Sequence, residues 1–336
     1  MAKRKLKIPR GKKLRWGIAG CGYYTENTFL PAFQLLKKSR LTAIFSSSNE
    51  RAKNVGSKFG ITKAFSDFTE FLKEDFNVIY ISGANSEHYQ RVIEAAKAGK
   101  HILCEKPLSL NSTEAEEMIK VCKENKVFLS VNYIHRFHPL VVKAKELIEN
   151  QMIGKIVSIA ASYNADIPPS DNFRFKKEIS GGGALRDIGT HMIDLLRFFG
   201  GEIESIKGFM DNIIYKSEVE DYSSALVKFN KSGYGYFNVS FNSKRFFNRI
   251  EILGYKGAIS IENVIGKKQS TSRLTIDLHG ETKKAFRRRA NILLFRLREF
   301  QSAILGGESP SVTGEDGLIN LRLIEELERE CQKELS

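Results

Sequence analysis

The chain has 336 residues, 42% of them hydrophobic and 10% aromatic, and carries a formal net charge of +14. That length exceeds one ordinary core, so two domains are expected, and the apolar content excludes a disordered or fibrous chain. No apolar run reaches the roughly 20 residues of a membrane span, and no signal-peptide core follows the basic start, so a cytoplasmic protein is expected.

The charge is uneven. Seven Lys or Arg residues and no acid lie between Met1 and Lys13, which reads as a mobile leader ahead of the first strand. A second concentration is Lys283, Lys284, Arg287, Arg288 and Arg289. Nucleic acid or an acidic membrane would suit such clusters, but no nucleic-acid-binding motif accompanies either one. A solvated tail plus a surface helix is the preferred reading, with a phosphate-bearing substrate between the two. The four cysteines, Cys21, Cys104, Cys122 and Cys331, show neither C-x-x-C nor paired spacing. They read as reduced thiols, with no disulfide framework and no metal site expected.

After the leader, Leu14 to Ala19 is an apolar strand running into Gly20-Cys21-Gly22-Tyr23-Tyr24-Thr25, and a helical pattern starts near Asn27. Gly20 and Gly22 fit the first two glycines of G-x-G-x-x-G, while Thr25 stands at the third. Such a turn presents bare backbone and helix N–H groups to a pyrophosphate, although sharp turns also use glycine for steric reasons alone. Cofactor contacts are therefore expected from Gly20, Gly22, Tyr23 and Tyr24. The next strand, Leu41 to Phe45, ends in Ser46-Ser47-Ser48, and a helix follows to Phe59. In a dinucleotide fold an acid at that point selects NAD. Ser46, Ser47 and Arg51 here lean toward NADP, because hydroxyls and a guanidinium suit a 2′-phosphate; a plain serine N-cap is the other reading.

Asn77 to Ile81 is the next buried strand, followed by Ala84-Asn85-Ser86-Glu87-His88 and a helix that stops at Gly99. His101 to Cys104 is a strand ending at Glu105-Lys106-Pro107; a helix to Lys123 and a strand from Val127 to Val131 follow. Strand and helix alternate throughout residues 14–131, which predicts a parallel sheet covered on both faces. Ligands of such sheets sit at the carboxyl ends of strands, and Ser46, Asn85, Glu105 and Lys106 all follow strand ends. From residue 137 the pattern changes. A helix from Pro139 to Glu149 precedes strands at Ile156–Tyr163, Ile203–Met210, Tyr222–Phe229, Gly235–Phe241, Arg249–Leu253 and Ala258–Ile261. A helical segment, Asp187 to Phe199, lies among them, and helices at Asn291–Leu305 and Glu315–Lys333 close the chain. The expected partition is a leader (1–13), a dinucleotide-binding domain (14–136) and a second α/β domain with an open, mostly antiparallel sheet (137–336).

Two windows carry chemistry. In Glu105-Lys106-Pro107 a lysine at a strand end can hold a substrate oxygen as a carbonyl becomes an alkoxide; a surface turn is the plain alternative. In Gly182-Gly183-Ala184-Leu185-Arg186-Asp187-Ile188-Gly189-Thr190-His191-Met192-Ile193-Asp194, residues 187 and 191 are i and i+4 and share a helix face. The aspartate suits orienting the imidazole or binding a substrate hydroxyl, and the histidine suits proton shuttling. A helix-surface His/Asp pair is the alternative; a metal site lacks a second His or Cys at ligand spacing.

G-x-G, A-N-S-E-H, E-K-P and G-G-x-x-x-D-x-G-x-H-x-x-D occur in an order and spacing that resembles the Gfo/Idh/MocA oxidoreductases over about residues 14–333. The resemblance implies an N-terminal Rossmann domain, a C-terminal domain whose open sheet forms a homodimer or homotetramer, and NAD or NADP as cofactor. It implies catalytic or substrate-binding roles for Lys106, Asp187 and His191, and a cofactor loop containing Asn85 and His88. Tyr133 to Pro139 resembles its R-F-x-P segment. The expected activity is hydride transfer between nicotinamide and a secondary alcohol or ketone of a sugar, polyol or nucleotide-sugar. A non-catalytic dinucleotide and sugar sensor and an NAD-dependent glycosidase are the alternatives within the same fold.

Overall fold

Short, largely apolar strands alternate with helices through the first part of the chain, and in the computed structural model, which describes residues 13–265 and 271–333, they form a doubly covered parallel sheet. The leader thus lies, through residue 12, outside the described residues. The chain divides into two units. The first unit contains β1 (Leu14–Ala19), β2 (Ser39–Phe45), β3 (Lys63–Phe65), β4 (Val78–Ile81), β5 (His101–Cys104) and β6 (Leu129–Val131). All pairs are parallel, in the order β3-β2-β1-β4-β5-β6. Every residue of β4 and β5 is buried, as expected where helices cover both faces.

The connections change direction between β1 and β4, and the carboxyl ends of all six strands face one edge. Backbone pairing continues past the strands there. Gly20 N–H donates to Phe45 O (2.9 Å), Ser82 N–H to Ala19 O (2.8 Å), Glu105 N–H to Ile81 O (2.9 Å) and Asn132 N–H to Cys104 O (2.8 Å). The residues that follow the strands are thereby held by the sheet itself.

Trp16, the largest side chain of β1, is fully buried and donates from Nε1 to Ser39 Oγ at 3.1 Å. Its ring meets Phe33 and Phe300 at centroid distances of 5.3 and 5.4 Å. Phe300 belongs to the Ile292–Gly306 helix, which also buries Leu293, Leu297 and Ile304. Residues 293–318 therefore fold with the first unit, whereas the sequence partition groups them with residues 137–336. The boundary after β6 falls between Asn132 and Tyr133.

The second unit holds β7 (Ile156–Asp166), β8 (Ile203–Asp211), β9 (Tyr222–Phe229), β10 (Tyr234–Ser240), β11 (Asn242–Gly254), β12 (Gly257–Glu262), β13 (Ser272–Leu278) and β14 (Lys284–Arg288). They form one sheet in the order β14-β13-β12-β11-β7-β10-β9-β8, antiparallel except where β7 meets β10. One face is covered by the Pro139–Glu149 helix, the Thr190–Gly200 helix and the last turns of the C-terminal helix; Ile159, Ile193, Leu196, Val227, Phe237, Ile250 and Leu327 share this core. The opposite face leaves Phe209, Leu226, Tyr236 and Leu253 exposed.

Three strands are absent from the sequence reading: β3, β13 and β14. The basic run from Lys283 to Arg289 is expected in a surface helix, but it forms β14, the edge of the sheet. Its one anchoring side chain, Phe286, pairs with Leu274 of β13. Charged residues on such an edge discourage pairing with a further strand. Among the described residues no helix is long and apolar enough to cross a membrane.

Candidate active site

The glycine turn after β1 meets two separate demands. Gly20 has φ +114°, and a Cβ there would lie 2.1 Å from Ser82 O, so only glycine fits between β1 and β4. Gly22 is different: a Cβ there meets nothing within 4 Å. Its bare backbone faces open space at the head of the first helix, which fits the close approach of a pyrophosphate. Thr25, at the third position of the motif, is buried, and its hydroxyl is 2.8 Å from Ser82 Oγ. That pairing lets a side chain larger than the usual glycine or alanine sit against the sheet. The helix is wound as a π-turn over Thr25–Phe29 and as an α-helix over Leu30–Phe33. Tyr23 is 84% exposed, and Tyr24 is half-buried with its phenol pKa raised by burial and by Glu105.

At the end of β2 the serines divide. Ser46 is buried and its Oγ accepts from Ser48 N–H (3.3 Å), while Ser48 Oγ accepts from Arg51 N–H (3.3 Å) and caps the Asn49–Lys58 helix. Ser48 thus belongs to the capping reading, and Ser46 braces the turn ahead of it. Ser47 and the Arg51 side chain stay exposed, and no carboxylate stands directly at the strand end.

Glu105 accepts from Tyr80 Oη (2.7 Å) and Asn132 Nδ2 (2.6 Å); burial raises its pKa against those two bonds. It braces β4, β5 and β6 at their carboxyl ends. Lys106, half-buried, follows directly, and its peptide bond to Pro107 is cis. Asn85, half-buried, opens the short turn Asn85–Glu87 on the same edge. His88 is placed otherwise than expected. It is fully buried, and burial pushes it down to about 4, so the imidazole is neutral at pH 7. Its Nδ1–H donates to Pro107 O at 3.0 Å. His88 is thus closed to a ligand and secures the turn that carries Lys106.

In the second unit the helical segment expected over Asp187 to Phe199 begins as a π-turn, Leu185–Gly189, and continues as the Thr190–Gly200 α-helix. From Gly182 to Phe199 every residue is buried except Asp187, His191 and Phe198. The two positions singled out by spacing are therefore the openings in the first two turns, with Phe198 the one further residue of the stretch that is not buried. Asp194, also on that pattern, is 1% exposed and takes a bidentate pair from Arg136 at 2.9 and 2.6 Å. It is an anchor: Tyr133 Oη and Thr190 Oγ1 lie 2.8 Å apart one turn away. The R-F-x-P-like segment is thereby stapled to the helix and brings the buried His135 ring to 4.6 Å, edge-on, from His191.

Residues to which the sequence assigns no role complete the arrangement. Glu220, 7% exposed, accepts from Gly183 N–H and Leu185 N–H, both at 2.9 Å, and burial raises its pKa against them. A Cβ on Gly183 would lie 2.0 Å from Glu220 O, which accounts for a glycine in the motif. The acid pair Glu220-Asp221 ahead of β9 is the available signal. Arg174, whose loop the sequence leaves without a shape, reaches Asp187 with Nε to Oδ2 at 3.3 Å. Tyr163 is held at about 12 by burial and by the Asp187 charge. Among the described residues no group of three or more His, Cys, Asp or Glu could hold a metal.

The model described as "Oxidoreductase family, NAD-binding Rossmann fold" (GFO_IDH_MocA) matches residues 14–133, and the GFO/IDH/MocA C-terminal domain matches residues 141–260. Myo-inositol 2-dehydrogenase of Thermotoga maritima is 31% identical over 332 residues, covering 92% of this chain and 94% of that protein. Oxidoreductase P35 of Formosa agariphila is 32% identical over 202 residues, 58% of this chain and 63% of that one. The crystal structure of aldose–aldose oxidoreductase from Caulobacter crescentus with glycerol superposes with a TM-score of 0.88 at 26% identity, covering 96% and 98% of the two chains.

The contrast between the two glycines yields a test. Gly22→Ala should leave stability within about 0.5 kcal/mol of wild type, as for an unobstructed surface change, while weakening NAD(H) and NADP(H) binding about tenfold or more. Gly20→Ala should cost stability by roughly 1–3 kcal/mol or more through strain alone. Calorimetry and fluorescence titration read both; unchanged dinucleotide affinity in Gly22→Ala would contradict the placement of the pyrophosphate.

Proposed function

The chain belongs to the Gfo/Idh/MocA oxidoreductase family, and from that membership and the two sites we propose that it transfers a hydride between a nicotinamide dinucleotide and a secondary alcohol or ketone of a sugar, polyol or nucleotide-sugar. The observation that carries the reading is the exposure pattern of the 182–199 segment, where Asp187 and His191 alone open in the first two turns. The relatives' names support the substrate class, one being an inositol dehydrogenase and another an aldose oxidoreductase.

Gly20, Gly22, Tyr23 and Tyr24 at the glycine turn, with Ser47 and Arg51 beyond β2 and Asn85 beyond β4, would hold the dinucleotide. When bound, it supplies the hydride acceptor or donor. Lys106 donates a hydrogen bond to the carbinol oxygen and stabilises the negative charge that grows there. His191 takes the hydroxyl proton in oxidation and returns it in reduction. Asp187 accepts from a substrate hydroxyl and fixes its orientation. Each is a charge or proton task of the kind buried or half-buried side chains perform well, because reduced solvent strengthens their electrostatics. The exposed face of the eight-stranded sheet, with Phe209, Leu226, Tyr236 and Leu253, is assigned to contact between copies of the chain.

Lys106→Met and His191→Ala should each lower turnover by at least about 100-fold with dinucleotide affinity retained. Stopped-flow assay of NAD(P)H absorbance with parallel binding titrations measures both quantities, and near-normal turnover in either variant would remove that residue from its role.

The absent carboxylate and the exposed Arg51 support a preference for NADP. NADPH should bind roughly ten- to hundred-fold tighter than NADH, and Arg51→Ala should erase the difference. A wild type favouring NADH tenfold would overturn this reading of the second strand.

A further inference from the structure

Asp187 does not stand alone at its opening. The segment before the catalytic helix is a preformed platform. Phe175 is buried and meets Phe241 edge-on at 6.1 Å, fixing the turn Phe173–Phe175 to the core. Asn172 Oδ1 accepts from Arg174 N–H (3.1 Å) and from Arg174 Nη1 (3.3 Å), so the cap of the turn also steers its arginine. The guanidinium lies 5.1 Å from the centroid of Phe173 and reaches Asp187 Oδ2 through Nε at 3.3 Å. The two side chains keep 40% and 23% exposure, so the pair is open to a ligand.

An ion pair this exposed contributes little to stability. Its position, on the carboxylate expected to grip substrate, needs another account. A carboxylate only accepts and a guanidinium only donates, with five N–H groups in a planar fork. Side by side they offer complementary contacts to two neighbouring oxygens, one hydroxyl donating to Asp187 and the next oxygen accepting from Arg174. The pair carries no net charge. A phosphate dianion seeking Arg174 would have to face the Asp187 carboxylate, whereas an uncharged polyol satisfies both partners.

Resting on the hydride-transfer reading above, we propose that Arg174 is a specificity-determining residue, and that the Arg174–Asp187 pair selects neutral polyols with a hydroxyl beside the reacting carbinol over their deoxy and phosphorylated analogues. Asp187 is the shared contact for substrate in general; Arg174 adds the discrimination.

The test uses matched sets: glucose with 2-deoxyglucose and glucose 6-phosphate, and inositol with its deoxy analogue and its monophosphate. Wild type and Arg174→Gln are assayed by NAD(P)H absorbance, with thermal unfolding alongside. Wild type should favour the neutral vicinal diol at least tenfold in kcat/KM over both analogues. Arg174→Gln should lose at least tenfold on the diol, mainly through KM, change less than threefold on the deoxy substrate, and keep its Tm. Equal losses on diol and deoxy substrates, or no loss on either, would overturn the inference and leave the hydride-transfer reading standing. A wild type that oxidises no member of the sets, and no other secondary alcohol, overturns that reading and the inference with it.

Discussion

The second unit depends on a carboxylate placed at the open end of a helix. Glu220 accepts two of the N–H groups that a helix start leaves unsatisfied, and its own backbone carbonyl accepts a third, from Ala184 at 3.0 Å. The approach is close enough that residue 183 must be glycine. With the start closed in this way, the following turns sink into the core above β9 and β10. Arg186 is locked to Glu328 and Asp194 to Arg136, each through paired hydrogen bonds. In the first two turns of the helix only Asp187 and His191 are not buried. A rigid scaffold is what the proton transfer proposed for His191 would require, since small displacements of such groups are costly to rate.

In the first unit the corresponding device is the parallel sheet. Hydrogen bonds that continue past the strand ends hold Gly20, Ser82, Glu105 and Asn132 by their backbones. Side chains then divide the work. Ser46 Oγ, the Glu105 carboxylate and His88 Nδ1 are engaged inside the unit, bracing the loops, while Gly22, Ser47 and Arg51 remain open. His88, His101 and His138 are each pushed to about 4 by burial and stay neutral at physiological pH. Their roles are those of neutral hydrogen-bonding groups: His101 Nδ1, for instance, accepts from Phe128 N–H at 3.1 Å.

Much of this is legible in the sequence, for definite reasons. Buried strands such as β4 and β5 are uninterrupted apolar runs, and the 187/191 spacing identifies a shared face whether the backbone winds as a π-turn or an α-helix. What escapes depends on partners far along the chain. The burial of Glu220 is settled by Gly183, 37 residues away in a different element. His88 resembles an open loop residue until Pro107 O is seen to accept a hydrogen bond from its ring N–H. β14 carries one apolar anchor among basic residues, so its alternation is too faint to separate from a solvated helix. Phe300 shows only a helical period, and nothing local says that it meets Trp16, 284 positions earlier.

The central claim is that a carbinol hydrogen of a sugar or polyol moves as hydride to nicotinamide. Incubating the enzyme with NADP⁺ or NAD⁺ and sugars or inositols deuterated at their carbinol carbons, then analysing the nicotinamide by mass spectrometry and NMR, tests it most directly. The account predicts one deuterium at C4 of the reduced ring, delivered to a single face. Polyols left intact with the dinucleotide unlabelled, or glycosides cleaved with no net reduction of the dinucleotide, would contradict it.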